Sequence, residues 1–381
     1  MNSTKISSGA FCSTSLALIA GLLLGEPAEA KKLNAGAEAN LSKREDKSAG
    51  KIPPGTLHLI INLSTQKVSV YSDGVLATRS NVATGVPGHP TPTGVFSVIG
   101  KERFHASNIY SGAPMPFMQR ITWSGIAMHQ GFVPGGRTAS HGCIRMPGDF
   151  AQMMFGTTKM GARVIISQND VVPFEFSHPF LFAPKLKPVL SEIEQKPVTP
   201  TKTAEAATEI KSDAPPAAAT EPDPLMIEMD AQESRKELVQ PNTPVSVFVS
   251  AKEKRLFIRQ NFLPIFDTPV TIKDGPALGT HVFTALAGSE PGKLRWLAVS
   301  VPDNLKPKAP AKSVRGKDKD AKPEEPEKVS TAAEALERLD IPADVRARIE
   351  DIFGAGGSLI VSDRGLGDET GEGTDFVVLT R

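Results

Sequence analysis

The stretch LHLIINLSTQKVSVY, residues 57–71, decides the fold of the first half of this chain. Residues 57–62 form an apolar run of strand length, and residues 67–71 alternate between apolar and polar side chains. A turn of Ser, Asp and Gly follows, so the pattern predicts a β-hairpin. Residues 55–184 are therefore predicted to be a mainly β domain with one short helix. Its further strands are predicted at residues 80–83, 94–99 and 163–166, and its helix at about residues 149–155.

The second half, residues 241–381, is also predicted to be a mixed, mainly β domain, and a non-catalytic one, since residues 224–381 contain no Cys and one His, His281. It repeats the strand, charged turn and strand pattern of the first half at residues 245–258, and residues 279–283 resemble residues 93–96. It could therefore be a degenerate repeat, although chance similarity between two hairpins is the alternative. The remaining predictions are strands at residues 295–299, 359–361 and 376–379 and an amphipathic stretch at residues 331–353.

Three segments have too few apolar residues to form a core. Residues 31–54 are predicted to be a flexible tether, residues 185–240 a disordered Pro/Ala-rich linker, and residues 306–329 a disordered insertion. The long linker predicts that the two halves fold separately, since such a composition cannot fix their relative placement. The 43 basic and 42 acidic residues nearly balance, so the charge favours neither nucleic acid nor an anionic membrane as a partner.

Residues 1–30 have the features of a signal peptide. Lys5 precedes an apolar run at residues 16–24, and the small-x-small pattern of Ala28 and Ala30 is what signal peptidase recognises. An uncleaved anchor is the alternative, but the run is shorter than the ~20 residues that span a membrane. The sequence thus predicts an exported protein of the periplasm or cell envelope, without a stable membrane span. Cleavage removes Cys12 and leaves Cys143 as the one cysteine.

Cys143 lies in the hexapeptide SHGCIR, residues 140–145, and His129 precedes it. A thiol attacks as thiolate, and its ordinary pKa of ~8.5 leaves only a few per cent ionised at neutral pH. An imidazole raises that fraction and can afterwards protonate a leaving amine. Cys143, His129 and His141 are therefore the candidate catalytic residues.

Three neighbours are candidate residues for substrate binding and for an oxyanion site. Gly142 lets the chain approach a substrate closely, and the amides of Gly142 and Cys143 could hold a tetrahedral oxyanion. Arg145 suits a substrate carboxylate, and Ser140 completes the set. Two alternatives remain open: a zinc site of His129, His141 and Cys143, whose spacing matches no familiar ligand pattern, and an inert structural cysteine.

The hexapeptide and four further segments resemble the L,D-transpeptidase catalytic domain family, also called YkuD domains. The resemblance covers roughly residues 57–167, about a third of the chain. In order, the matching segments are TPTGVF at 91–96, MPF at 115–117, AMHQG at 127–131, SHGC followed by Arg145, and GARVII at 161–166.

The resemblance implies an L,D-transpeptidase-like β-sandwich with a short helix that acts on peptidoglycan stem peptides. Cys143 matches the nucleophile, His129 the proposed general base and His141 the histidine of the motif, while Ser140 and Gly142 match supporting positions. It implies 3–3 cross-links made without a metal or an organic cofactor, and acylation of the cysteine by carbapenems. The alternatives are an L,D-carboxypeptidase, a protein-anchoring transpeptidase and a non-catalytic peptidoglycan-binding protein.

Overall fold

The computed structural model describes residues 51–184, 243–302 and 328–380, except residues 111, 291 and 372. The predicted signal peptide, the linker at 185–240 and nearly all of the tether and of the insertion at 306–329 lie outside the described residues. The described part is mainly β with short helices, as the sequence predicts. It belongs to one compact unit, Ala49–Arg381.

The first sheet has six strands in the order β19-β4-β9-β1-β2-β3. Its centre is a parallel pair, β1 and β9, and β1 also pairs with β2 in the predicted hairpin. The strands are β1 (Leu57–Asn62), β2 (Lys67–Ser72), β3 (Val75–Asn81), β4 (Gly94–Ser97), β9 (Arg163–Ser167) and β19 (Val378–Leu379).

The second sheet has seven strands in the order β10-β16-β15-β18-β11-β12-β13. Here too the centre is a parallel pair, β11 and β18, and β11 also pairs with β12 in a hairpin. The strands are β10 (Phe174–Phe176), β11 (Val245–Ser250), β12 (Arg255–Gln260), β13 (Leu263–Pro269), β15 (Thr280–Ala287), β16 (Leu294–Val301) and β18 (Ser358–Ser362).

Five strands of each sheet share one topology. The series β4-β9-β1-β2-β3 and β15-β18-β11-β12-β13 have the same order and the same directions. The registers also match, because His58 lies opposite Arg163 in the first parallel pair as Ser246 lies opposite Ser358 in the second. Agreement in order, direction and register favours the repeat over a chance similarity between hairpins.

Among the described residues, only the first of the two repeats (the first copy) carries a separate four-stranded sheet, between β4 and β9. Its strands are β5 (Gly100–Glu102), β6 (Met118–Arg120), β7 (Ala127–Gln130) and β8 (Ile144–Met146), followed by helix α1 (Gly148–Thr157). Lys101 of β5 donates to the carbonyls of Phe155 and Thr158, at 2.7 and 2.5 Å, and so caps the end of α1. Of the candidate catalytic residues, His129 lies on β7, and His141 and Cys143 lie in the loop that leads into β8.

The second copy has two short helices where a single amphipathic stretch was predicted. They are α2 (Ala332–Glu337) and α3 (Ala343–Glu350). Between them β17 (Leu339–Asp340) pairs with β14 (Thr271–Ile272), and Pro342 stands at the start of α3. A proline fits the first turn of a helix but breaks its interior, so the stretch cannot continue as one helix.

The two large sheets pack face to face through a shared core. Ile60 of β1 and Ile165 of β9 belong to the same buried cluster as Phe248 of β11 and Ile360 of β18. On the opposite faces, alternate residues of the same strands fill a separate core for each copy. The arrangement is a β-sandwich whose two layers are the two copies.

Each half also supplies a strand to the other half's sheet. β10 directly follows the first copy and pairs with β16, while β19 follows the second copy and pairs with β4. This exchange corrects the expectation of separately folding halves, because residues 55–184 alone lack a strand of their own sheet. The predicted domain boundaries themselves stay predictions.

A buried ion pair joins the two halves beside the shared core. Arg163 lies 3.0 Å from the Asp375 carboxylate, and both side chains are 7% exposed. The Arg163 guanidinium also donates to the Oγ atoms of Ser97 and Ser358, at 3.0 and 2.8 Å. Ser97 in turn donates to Asp375 at 3.0 Å. The charged groups are therefore paired and hydrogen-bonded, as buried charges must be.

His58, beside this ion pair, should make the stability of the protein depend on pH. Its Nε2 lies 2.9 Å from Thr284 Oγ1. Burial, and secondarily the Arg163 charge, lowers the pKa of His58 from 6.5 to about 4. Below pH 6.5 the unfolded chain therefore binds a proton that the folded chain does not, so stability falls as the pH drops.

We expect His58 to account for a loss of about 3 kcal/mol between pH 6.5 and pH 4. Urea unfolding of His58→Gln and of the unaltered protein at several pH values measures this contribution. The stability of the unaltered protein should fall relative to that of His58→Gln as the pH falls, whatever their difference at pH 7.5. A constant difference across that range would contradict the prediction.

Candidate active site

A cleft of about 430 Å³ opens beside the four-stranded sheet. It is formed by the loop between β5 and β6, the turn between β6 and β7, and the loop that leads into β8. Five of the six predicted site residues line it, and only Gly142 is set back from its wall. The lining includes Arg120, Gly125, Ala127, His129, His141, Cys143 and Arg145.

His129 and Cys143 lie on the same face of this sheet. Cys143 packs against Ala127, and Ala127 and His129 are two residues apart on β7, so their side chains point the same way. The intervening Met128 points into the core of the first copy. β7 and β8 are parallel with Met128 opposite Ile144, which brings His129 close to the strand that Cys143 precedes.

The imidazole of His129 is held in one orientation. It is 7% exposed, and its Nδ1 lies 2.7 Å from the carbonyl of Gln130. A carbonyl can only accept, so Nδ1 carries the hydrogen and Nε2 keeps a lone pair. Burial lowers the pKa of His129, with smaller contributions from the charges of Arg145 and His105, opposed by the Gln130 carbonyl. The ring is thus a neutral base at neutral pH.

The thiol of Cys143 is half-buried and protonated in this state. Its Sγ donates to the carbonyl of Gly125 at 3.6 Å. Burial raises the pKa of Cys143, while the N–H of Ala127 and the charges of Arg145 and Arg120 oppose that rise. The expectation from the sequence that a nearby imidazole raises the thiolate fraction of Cys143 is therefore wrong, because desolvation of the thiolate makes the largest contribution and raises the pKa.

The turn before Cys143 is fixed by its own hydrogen bonds. Ser140 Oγ donates to the carbonyl of Cys143 at 2.5 Å and accepts from the N–H of Gly142 at 3.2 Å. Thr91 Oγ1 donates to the carbonyl of Gly142 at 2.6 Å. Gly142 has φ +112°, and a Cβ there would lie 2.6 Å from Ile126 Cδ1, so only glycine fits.

These bonds revise the prediction for the oxyanion site. The N–H of Gly142 donates to Ser140 within a buried turn, so it does not face the cleft as an open donor. The prediction fails at this position because sequence cannot reveal that the serine of the motif takes up this amide. Ser140 and Gly142 instead shape the turn that presents Cys143.

His141 lies at the surface end of the cleft, apart from the buried imidazole. Its ring centroid is 4.7 Å from that of His89 and 5.1 Å from that of Tyr110. It is exposed, in contrast to His129. The arrangement suits contact with a substrate better than activation of the buried thiol.

Arg145 and Arg120 supply positive charge to the cleft. Arg145 lies opposite His129 in the β7–β8 pair, and its side chain covers Gly131, where a Cβ would lie 2.9 Å from Arg145 Cγ. Sequence reasoning missed Arg120, which has no motif neighbour but ends β6 beside β7. It also missed the backbone groups of Gly125, Ala127 and Gln130, since any residue type could supply them.

The described ranges contain no group of three or more His, Cys, Asp and Glu residues that could hold a metal ion. His129 and His141 lie in different environments, one buried at the sheet and one in an exposed ring stack. This separation disfavours the zinc alternative.

Across the same ranges, none of the helices combines the length and apolar character that a membrane span requires.

The first copy matches a family model and a curated relative. The model, described as the L,D-transpeptidase catalytic domain YkuD, matches residues 56–166. YqjB of Bacillus subtilis (strain 168), assigned by name to the L,D-transpeptidases, is 32% identical over 133 residues, or 31% of this chain and 74% of that protein.

Solved structures of similar proteins cover the same part of the chain. An L,D-transpeptidase from Mycobacterium smegmatis is 23% identical over 29% of this chain and 58% of its own, with a TM-score of 0.28. One from Stackebrandtia nassauensis is 23% identical over 34% and 65%, with a TM-score of 0.29. One from Mycobacterium tuberculosis H37Rv is 26% identical over 29% and 57%, with a TM-score of 0.28. The match thus spans less than two thirds of each of these three chains.

Proposed function

This chain belongs to the L,D-transpeptidase family, and from that premise we propose that it forms 3–3 cross-links in peptidoglycan with Cys143 as nucleophile. In the first step Cys143 Sγ attacks the carbonyl carbon of the third residue of a donor stem tetrapeptide. His129 Nε2 accepts the thiol proton. The tetrahedral intermediate then collapses to a thioester, and the amine of the terminal D-alanine leaves with the proton from His129.

The second step transfers the acyl group to an acceptor stem. Its side-chain amine attacks the thioester carbonyl and loses a proton to His129. The carbon–sulfur bond breaks, and the Cys143 thiolate regains that proton. No oxidant, metal or organic cofactor enters either step. Arg145 and Arg120 are suited to a stem carboxylate, and their positive charge also favours the thiolate as it forms.

The observation that supports this proposal is that a neutral, oriented imidazole and a protonated thiol line the same cleft, on the same face of the small sheet. The Gln130 carbonyl fixes the hydrogen on Nδ1 of His129, so its other nitrogen is the free acceptor. Burial disfavours charge on both groups. We therefore infer that the proton moves as Cys143 attacks, instead of a thiolate–imidazolium pair standing in the resting protein.

The test is mass spectrometry of the products that the protein makes from purified muropeptides. A cross-linked dimer that has lost one D-alanine, with the bond between two third residues located by fragmentation, supports the proposal. A shortened monomer without dimer indicates an L,D-carboxypeptidase, with water as acceptor. A product attached to a protein lysine indicates an anchoring enzyme. If the protein forms no product but retains intact muropeptide, it is a binding protein.

We also propose that the protein is exported to the periplasm or cell envelope. Its substrate class lies there, and residues 1–30 have the pattern of a cleaved signal. N-terminal sequencing of the protein from a cell-envelope fraction tests this. A mature N-terminus close to Lys31 is the expected result, and an intact Met1 in the cytosol would contradict it.

The two histidines should differ in their contribution to catalysis. We expect His129→Gln to slow acylation of Cys143 by a carbapenem by about a hundredfold or more, the usual scale for loss of a general base. His141→Gln should cost much less, and mainly in KM, because His141 is exposed in a ring stack. Stopped-flow measurement of adduct formation gives both rates.

The roles of His129 and His141 can also be told apart by the pH dependence of activity. His129 acts as a base only when neutral and its pKa is lowered, so activity should be lost on acidification below its ordinary value of 6.5. In His129→Gln that acidic limb should vanish from the pH profile. If His141→Gln abolished the limb and His129→Gln kept it, the two roles would have to be exchanged.

A further inference from the structure

A loop of the second half reaches the turn that holds the catalytic thiol. Glu369, between β18 and β19, accepts hydrogen bonds from the N–H of Trp123 at 2.6 Å and of Ser124 at 3.1 Å. Gly371 of the same loop lies against the Trp123 ring, since a Cβ there would be 3.6 Å from Nε1. We propose that Glu369 is a positioning residue for Cys143, an inference that rests on the proposed function.

The turn of residues 122–126 contacts Glu369 on one side and the thiol of Cys143 on the other. It is closed by Thr122, whose Oγ1 accepts from the N–H of Ile126 at 2.9 Å. Inside it, the carbonyl of Gly125 accepts from Cys143 Sγ at 3.6 Å. The side chain of Ile126 also lies against Gly142, directly before the nucleophile. A displacement of residues 122–126 therefore moves both the acceptor of the thiol and the wall behind it.

The loop that carries Glu369 is anchored on the second copy. Arg259 of β12 donates to the carbonyls of Gly371 and Thr374, each at 2.7 Å. Upstream, Glu253 accepts from the N–H of Leu366 at 2.6 Å. Residues of the copy without a catalytic cysteine thus determine where Glu369 stands.

A carboxylate suits this position for a physical reason. Two consecutive backbone N–H groups point at one side chain, and hydrogen bonds to an ionised acceptor are roughly twice as strong as neutral ones. The bonds hold the turn in register without contacting the cleft, because Glu369 does not line it. Glu369 therefore acts on the reaction through the Gly125 carbonyl and has no direct contact with a substrate.

The first measurement is the rate of carbapenem adduct formation on the full-length chain. We expect Glu369→Ala to slow it about tenfold, less than the roughly hundredfold cost of a ~1 Å misplacement in an active site. Glu369→Gln keeps one acceptor oxygen and should recover part of the rate. Asp368→Ala removes the neighbouring exposed carboxylate and is the matched control, with an unchanged rate.

The second measurement separates positioning from a loss of structure. Iodoacetamide alkylation of Cys143 against pH reports the pKa of the thiol itself. The Gly125 carbonyl accepts from the protonated thiol and so favours that form. Releasing the turn in Glu369→Ala should therefore lower the alkylation midpoint while acylation slows. Partial unfolding would also expose the thiol and lower its pKa, so an unchanged melting temperature is the result that assigns both changes to the turn.

The two proposals fail in different ways. If the unaltered protein makes no cross-linked or shortened muropeptide, the proposed function fails, yet the alkylation midpoints of wild type and Glu369→Ala still report the positioning of Cys143. The positioning role is overturned if Glu369→Ala changes neither quantity. Its acylation rate would then lie within about twofold of wild type, a difference of ~0.4 kcal/mol in barrier, and its alkylation midpoint would be that of wild type. Equal effects of Asp368→Ala and Glu369→Ala would overturn it as well.

Discussion

A Cys143→Ala variant should form no carbapenem adduct and turn over no muropeptide. We expect the acylation rate to fall at least about a thousandfold, because the covalent path disappears with its nucleophile. Intact-protein mass spectrometry after incubation with excess drug should add one drug mass to the unaltered mature protein and none to the variant. Peptide mapping should locate the mass on the peptide that contains Cys143.

The control for this experiment is the stability of the variant. Cys143 is only half-buried, and its side chain packs against the small cluster of Met115, Met118 and Ala127. The substitution should therefore leave the protein folded, with a loss of about 1 kcal/mol, typical of a single replacement. A folded Cys143→Ala protein that still took up one drug mass would sink the assignment and point to another nucleophile.

The second large effect should come from the ion pair that joins the halves. Asp375→Asn keeps the shape of the side chain but leaves the Arg163 charge buried without its partner. Removing one member of a buried pair typically costs 3–5 kcal/mol, out of a total stability of about 5–15 kcal/mol. Urea unfolding followed by circular dichroism should show that loss as a lower midpoint with the slope preserved.

A double variant identifies the cause of the loss. Replacing both partners by apolar residues, as in Arg163→Met with Asp375→Leu, should recover much of the stability, since no unpaired charge remains. Asp340→Asn removes an exposed carboxylate of β17 and should change stability by no more than about 0.5 kcal/mol. If Asp375→Asn behaved like that control, the ion pair would not be holding the halves together.

The elements of the fold that local sequence encodes were predictable. The hairpin of β1 and β2 follows from apolar alternation, and the bounds of β9 and α1 lie within two residues of those predicted. The exchange of β10 and β19 was not predictable, because pairing with a distant strand leaves no periodic signal of its own. The folding of the halves into one sandwich was missed for the same reason, since Ile60 and Phe248 are equally apolar in a shared or a separate core.

Prediction of the site divides along a similar line. The SHGC motif and the preceding histidine identify Cys143 and His129 as candidates, because their chemistry depends on residue type. Two further properties depend on the folded structure. The pKa of Cys143 is raised because the thiol is partly buried. The N–H of Gly142 is not available to an oxyanion because it donates to Ser140 Oγ. Glu369 lies far along the chain in an acidic, glycine-rich loop, where nothing in the sequence relates it to the thiol.

The pairing of β19 with β4 also governs the order in which the protein can be assembled. Ser97, at the end of β4, and Asp375 are 278 residues apart in sequence, so this contact cannot form until nearly all of the described chain has been synthesised. Contacts of such separation form slowly, since the entropy of closing the loop is lost before the contact stabilises anything. The sheet of the half that carries Cys143 is therefore complete only after the second half has been synthesised. An active Cys143 is expected only late in folding.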